Sequence, residues 1–465
     1  MAGIGFELRR LRDQNGLSGK AVSIGHGTAI AAGPWLATVL SMAAIQLLTP
    51  ELDRAQAYAF RGLVVYSFML SLVATAPIVY VATRQVADDV FTGRFEAVAS
   101  RFAAAILACA GACIVVSIVV LGGLLGMSGT SLAVGIALTG LTGIVWPTLA
   151  FCGAVRDFEA ITAGFALGLV AAVAGTVVAV QAGLPAPAQV AAYGIGIAVV
   201  AARLVATVLA TFPHPVATWR RPLAALVRDA RRFRLLALAG LVGTAALWAD
   251  KWTVWASDEG ARLENGIFYA PAYDSAMFVA YLAIVPALAL FIIAVETTLL
   301  DRLRAFLASI REHGSLDEID RRALALEVDV RASLVRILAM QTCLCAVAAI
   351  LAPALVGFVG LHFSQVGILR LGLIAGLFQF LFFACGTILV FVERHGAFLA
   401  LQVLFLVLQI SLTRLTLVGD ADYLGFGHLA ACALSALAAV WVLDRSLARL
   451  TFLTFDAALS RGGGR

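Results

Sequence analysis

The sequence predicts an all-α polytopic membrane protein of about twelve transmembrane helices in two six-helix bundles, and three observations carry that prediction. First, 62% of the 465 residues are hydrophobic and only 13% charged, roughly half the ~25% charge of a soluble domain. Second, apolar stretches recur along the whole chain, each long enough to cross a hydrocarbon core of about 30 Å as a helix. They run without the alternation of barrel strands, and helices satisfy every backbone hydrogen bond within the segment. Third, Lys and Arg concentrate in every second connection, the signature of a cytoplasmic face.

The elements follow in order. The opening MAGIGFELRRLRDQNGLSGK carries four basic residues and no apolar core of signal-peptide length, so a cytoplasmic arm is expected. Spans are expected over 21–48, 62–82, 102–126, 131–153, 160–182, 188–211, 235–256, 271–295, 334–358, 366–391, 396–418 and 424–443. With the N-terminus inside, 26 of the 33 Lys and Arg fall in cytoplasmic segments or, as Arg336 does, just inside the span beside one. Arg54, Arg61 and Arg262 fall in short outer connections and Arg370 just inside the span beside one, while Arg203, Lys251 and Arg414 lie within spans. Both termini are therefore expected in the cytoplasm.

The halves resemble each other. Spans 2 and 8 carry Pro77 and Pro286 at similar depth, and a charged loop follows each, the second longer than the first. The expected organisation is an N-terminal bundle with its arm over 1–211, a basic cytoplasmic linker over 212–234, and a C-terminal bundle over 235–465. That second bundle carries a cytoplasmic hairpin at 296–333 and a tail. Pro34, Pro77, Pro147, Pro286 and Pro353 interrupt spans, as suits bent helices of a moving protein or of a static bundle.

No enzymatic constellation emerges. Residues 16–21, GLSGKA, have the wrong spacing for a phosphate-binding loop and follow no strand. The seven Cys lie in apolar spans and form no metal-ligand spacing with His, so they read as small buried residues and no cofactor is expected. The net charge of +5 follows membrane topology rather than a nucleic-acid-binding face.

The informative residues are charges within apolar spans, because each costs roughly 3 kcal/mol at mid-bilayer unless it meets water or a partner. Span 7 ends in Trp248-Ala249-Asp250-Lys251-Trp252 and span 8 opens with Tyr273-Asp274-Ser275. A short connection brings Lys251 and Asp274 to similar depth, which suggests a pair at an outer gate. Asp250 competes, though neighbours on a helix point about 100° apart. The other reading is interfacial anchoring, with Trp248, Trp252 and Trp255 as an aromatic belt. Arg203 and Arg414 sit near span ends, where their heads can snorkel. Gln402, Gln409, Thr413 and Thr416 form a polar stripe on span 11, which either lines a wet path or bonds neighbouring helices. His26, Arg61 and Gln379 are further candidates.

In the hairpin, Leu299, Leu303, Phe306 and Ile310 form one apolar stripe. Gly314 then breaks the helix, and Ser315 with Glu318 makes a capping box. A heptad seam at Leu316, Ile319, Ala323, Leu326 and Val330 follows, suited either to docking a partner through Leu316, Ile319 and Leu326 or to packing on its own bundle.

The opening MAGIGFELRRL, Gly33-Pro34-Trp35, Asp250-Lys251-Trp252, Tyr273-Asp274, Ala280 to Leu288, Val295-Glu296-Thr297, Gly314-Ser315-Leu316, Leu412 to Leu417 and Leu443-Asp444-Arg445 together resemble the PelG family. This resemblance spans the chain. It implies the fold of the multidrug, oligosaccharidyl-lipid and polysaccharide (MOP) exporters, a MOP flippase-like pair of six-helix bundles in the bacterial inner membrane. It further implies transport of an N-acetylgalactosamine-rich exopolysaccharide, with a cytoplasmic glycosyltransferase and a membrane-anchored cyclic-di-GMP receptor subunit as partners. Two other readings stand beside it. A cation-coupled exporter of small molecules or lipid-linked oligosaccharides would need a titratable carboxylate deep in the cavity. A membrane glycosyltransferase would need a carboxylate-rich outer loop, which the short outer connections do not offer.

Overall fold

The computed structural model describes residues 38–153, 158–216, 219–418 and 424–462. The arm, His26, Gly33-Pro34-Trp35 and most of the first expected span lie outside the described residues. The described chain is helical apart from one two-stranded hairpin. Ten helices are long and apolar enough to cross a membrane, a bent pair makes an eleventh, and Thr38–Leu48 is the described end of the first expected span.

The described residues fall into two compact units that divide between Ala270 and Pro271. The first holds α1 (Thr38–Leu48), α2 (Arg54–Thr92), α3 (Glu96–Ser117), α4 (Gly129–Cys152), α5 (Phe158–Gln181), α6 (Ala186–Thr211), α7 (Arg220–Arg232) and α8 (Arg234–Trp255). Asp53 caps α2 by accepting from the Ala55 and Gln56 amides at 3.0 and 3.3 Å. Gly93 ends it in the left-handed conformation, φ 74°. Helix α3 continues as a π-helix over Ile118–Leu124.

Apolar burial drives no association between helices already in lipid, so close packing through small residues does. At the α5–α6 contact a Cβ on Gly196 would lie 2.4 Å from the Ala172 amide, and one on Gly168 would lie 2.2 Å from the Val200 side chain. Only hydrogen fits at those two positions. Ser41 Oγ and Tyr193 Oη, 3.0 Å apart, tie α1 to α6.

The basic linker is not a loop. Six Arg side chains from Arg220 to Arg234 are exposed, while Leu226 packs inward, so α7 is an amphipathic helix bent by 85° from α8. Its one acid, Asp229, accepts from Gln85 at 2.5 Å and lies 3.9 Å from Arg101. Arg101 in turn bonds the buried Asp89 at 2.9 Å, beside Arg94 at 3.1 Å, which ties the connection after α2 to α7.

In this division α8 groups with the first unit. Trp252 Nε1 lies 3.0 Å from Met69 Sδ, and Trp255 stacks on Tyr66 at 5.1 Å. After α8, β1 (Ala261–Arg262) pairs antiparallel with β2 (Phe268–Tyr269), with Ala261 opposite Tyr269. The Tyr66 hydroxyl donates to the Phe268 carbonyl at 3.0 Å.

The second unit contains α9 (Pro271–Leu282), α10 (Val285–Ala294), α11 (Leu300–Arg311), α12 (Leu316–Ile350), α13 (Ala352–Val359), α14 (Val366–Phe391), α15 (His395–Leu417), α16 (Phe426–Ala448) and α17 (Leu450–Gly462). Pro286 does more than bend its span: the helix stops at Leu282 and restarts at Val285, with Pro286 in the new first turn, where its missing N–H is tolerated. Gln341 of α12 donates to the freed Ala283 carbonyl at 2.7 Å. Pro353 likewise ends α12 early and opens α13.

The charged segment after span 8, expected as a helical hairpin, runs on from the spans on either side. A π-helix over Val295–Leu299 joins α10 to α11, and α12 fuses the second hairpin arm with span 9 in one helix of 35 residues. At the turn, Ser315 Oγ accepts from the Glu318 amide at 3.3 Å. His313, not Gly314, takes the positive φ of 57°. Gly314 serves a different need, since a Cβ there would stand 2.9 Å from the Ser309 carbonyl oxygen.

Candidate substrate path, gate and docking surface

The charges at the end of α8 are buried. Asp250 is fully enclosed and Lys251 only 9% exposed. Lys251 Nζ lies 3.1 Å from Asp250 Oδ2 and 5.6 Å from the Trp248 ring centroid. The helical angle between neighbours did not favour this pair, but a four-carbon lysine stem is long enough to fold back to the carboxylate beside it. Two opposite charges and an aromatic face make burial tolerable where a lone charge would not be. Asp274, the other expected partner, is half-buried in the first turn of α9, where the helix dipole favours an anion.

The tryptophans read as a belt turn toward the protein instead. Trp255 is buried against Tyr66, and Trp252 is half-buried against Met69. The Trp252 indole N–H finds its partner inside the first unit, which a headgroup belt would not require.

The remaining path candidates separate. Arg203 is exposed on α6, and its stem runs along α5 so closely that a Cβ on Gly164 would meet Arg203 Cγ at 3.0 Å. Arg414 is exposed on α15. Gln409 is fully buried, and the stripe on its helix continues through buried Gln402 and Thr413. Its partner is one that the sequence reading missed: Gln409 Nε2 lies 3.0 Å from Nδ1 of His428 on α16. His428 is 1% exposed, and its Nε2 lies 3.2 Å from the Tyr281 hydroxyl of α9. The available signal was an ionisable ring opening an apolar span, at Gly427-His428. Of the cysteines, six are buried and Cys343 is exposed on α12.

The docking residues also divide. Leu316 is 63% exposed, while Ile319 and Leu326 are 5% and 3% exposed. The seam of Ile319, Ala323, Leu326 and Val330 closes inside the second unit, where α12 packs along α11 with its buried Phe306. Arg302 Nε lies 2.5 Å from Asp329 Oδ2 across the hairpin, and Arg331 bonds both Glu327 and Asp444.

Residues 1–455 match the model of the family described as "PelG: Putative exopolysaccharide Exporter (EPS-E)". The chain belongs to the PelG family. Among curated proteins, none matches it by sequence. In structure this PelG-family chain is similar to a MOP superfamily transporter from Pyrococcus furiosus, with TM-score 0.67 and 13% identity, covering 92% of this chain and 96% of the other. It is similar to a mutant of the Vibrio cholerae MATE transporter VcmN, with TM-score 0.65 and 16% identity over 93% and 99%. A MATE transporter in its straight conformation gives TM-score 0.64 and 14% identity over 97% and 99%. Identities this low establish the fold alone, and that fold is the MOP transporter fold. PelG-family membership and the helices together make the chain a multi-pass membrane protein of an exopolysaccharide exporter family.

Proposed function

We propose that the chain exports a growing Pel-type, N-acetylgalactosamine-rich polysaccharide across the bacterial inner membrane, with both termini in the cytoplasm. The PelG-family match over residues 1–455 is the observation that carries this reading. The polymer arrives from a cytoplasmic glycosyltransferase held with a membrane-anchored cyclic-di-GMP receptor subunit. Transport needs no covalent chemistry from the chain. In a MOP fold the work is binding and conformational exchange.

Deleting the gene should abolish secreted polymer and biofilm while lipid-linked oligosaccharide pools stay normal. Secretion that persists would overturn the reading, and accumulated lipid-linked oligosaccharide would favour an exporter of that cargo on the same fold. Topology is checked separately. Single cysteines at 315 and 460 should label only from the cytoplasm and those at 185 and 421 only from outside, as the distribution of the 33 Lys and Arg requires.

Docking of the glycosyltransferase falls to the exposed side of the hairpin. Leu316, Leu324 and Val328 are each more than half exposed, so L316S should reduce co-purification of the enzyme with membrane insertion intact. Serine at Ile319 or Leu326 should instead destabilise the hairpin itself, because both are interior.

A further inference from the structure

The seam between α15 and α16 has features that simple helix packing does not require. Both amide atoms of Gln409 come within reach of one imidazole nitrogen: Nε2 lies 3.0 Å and Oε1 3.1 Å from His428 Nδ1. On the other side of the ring the Tyr281 hydroxyl, 3.2 Å from Nε2, is able to donate or accept. A neutral ring accepts through one nitrogen and a protonated ring donates through both, and these partners serve either state by rotating an amide and a hydroxyl.

A line of polar groups leads away from the ring. Ser435 lies two turns beyond His428 on the same face of α16, and Gln402 two turns before Gln409 on the same face of α15. Thr413 lies one turn the other way. Ser435 is fully buried and Thr413 is 4% exposed, and neither hydroxyl has a hydrogen-bond partner among the described residues. An orphaned buried hydroxyl costs about 1–3 kcal/mol, and internal water is the usual remedy.

We propose that this seam is a proton-binding site: His428 takes up a proton from water along the Ser435, Gln402 and Thr413 line, and Tyr281 passes the change to the broken helix α9–α10. The proton comes from solvent hydronium and adds to the neutral imidazole, leaving water and an imidazolium; no other bond changes. The Gln409 amide then turns its oxygen to the new N–H. Tyr281 stands two residues before the break at Ala283, whose carbonyl is held by Gln341. Of the groups packed around the ring, Tyr281 and Cys432 are titratable and bonded or adjacent to it. Arg370 of α14 is turned to the Ala349 carbonyl, Arg414 of α15 is exposed, and Cys345 of α12 meets Gln341. The site leaves open what the exporter carries.

The test uses full-length protein in phosphatidylcholine–phosphatidylglycerol nanodiscs, with the six histidines labelled with ¹⁵N. One imidazole signal, absent from H428Q, should pass from the neutral to the protonated form as pH falls across the range in which the protein stays folded. Hydrogen exchange of peptides covering 271–294, corrected for intrinsic rates, should change with the same midpoint in wild type and at least about fivefold less in H428Q. Y281F should keep the titration and lose the exchange response, which covers the case of an H428Q protein that does not fold. An imidazole that stays in one state over that range, or an exchange response unaltered by both variants, would overturn the proposal. Neither readout involves polysaccharide, so failure here and failure of the exporter reading are separable.

Discussion

Two polar clusters buried among helices, one in each unit, solve the same problem differently. In the first, Asp250 and Lys251 are adjacent on one helix, both charged and held 3.1 Å apart. In the second, His428, Gln409 and Tyr281 come from three helices and meet through hydrogen bonds that need no charge. The first sets opposite charges side by side, and a change to either one deprives the other of this partner. The second joins an imidazole, an amide and a hydroxyl, and its acceptance of a charge is what the proposed proton site requires. Removing one partner of a buried ion pair is costly, whereas a neutral network holds its helices together through satisfied hydrogen bonds.

Four variants sharpen that contrast. The largest effect is expected from D250A, which leaves the buried Lys251 ammonium without this partner and should lower stability by about 3–5 kcal/mol. Denaturant unfolding of the purified protein checks it, and a loss below about 1 kcal/mol would show that the pair is wet. Replacing both charges together, D250L with K251M, should restore most of that loss, because an apolar pair of similar volume is often as stable as a buried ion pair. Next comes Q409L, which strips an imidazole nitrogen of its partner and should cost about 1–3 kcal/mol. Smallest is Y281F, at about 1 kcal/mol for one neutral hydrogen bond. If Y281F matched D250A, the distinction between charged and neutral clusters would fail.

The spans were legible because lipid tolerates little else: long apolar runs and the distribution of Arg side chains set the helices of the MOP fold before any coordinate. Pro286 and Pro353 marked breaks, although a kink was expected where the helix in fact stops. Ser315 was legible as a cap because capping is local. What escaped was long-range. Nothing near Gln409 in sequence names His428 as its partner, and the burial of Ile319 and Leu326 depends on how α12 packs on α11. Lys251 eluded a helical-wheel argument because that argument treats side chains as vectors, and a lysine is a tether. The polar stripe on span 11 was visible, but its choice between wet path and helix contact depended on a neighbouring helix.

Helix α12 joins the hairpin to a membrane span with no joint between them, since one buried stripe runs from Ile319 and Leu326 through Leu334 and Ile337 to Gln341 and Cys345. At 1.5 Å per residue it is a rod of about 52 Å, close to half of it outside the hydrocarbon. A rod pivoted near its middle turns a small push at one end into an opposite swing at the other, and a tilt of 5° moves each tip by about 2 Å. An enzyme pressing on the hairpin would therefore work the far end of that span as a crank works its shaft, without sending a signal through any loop.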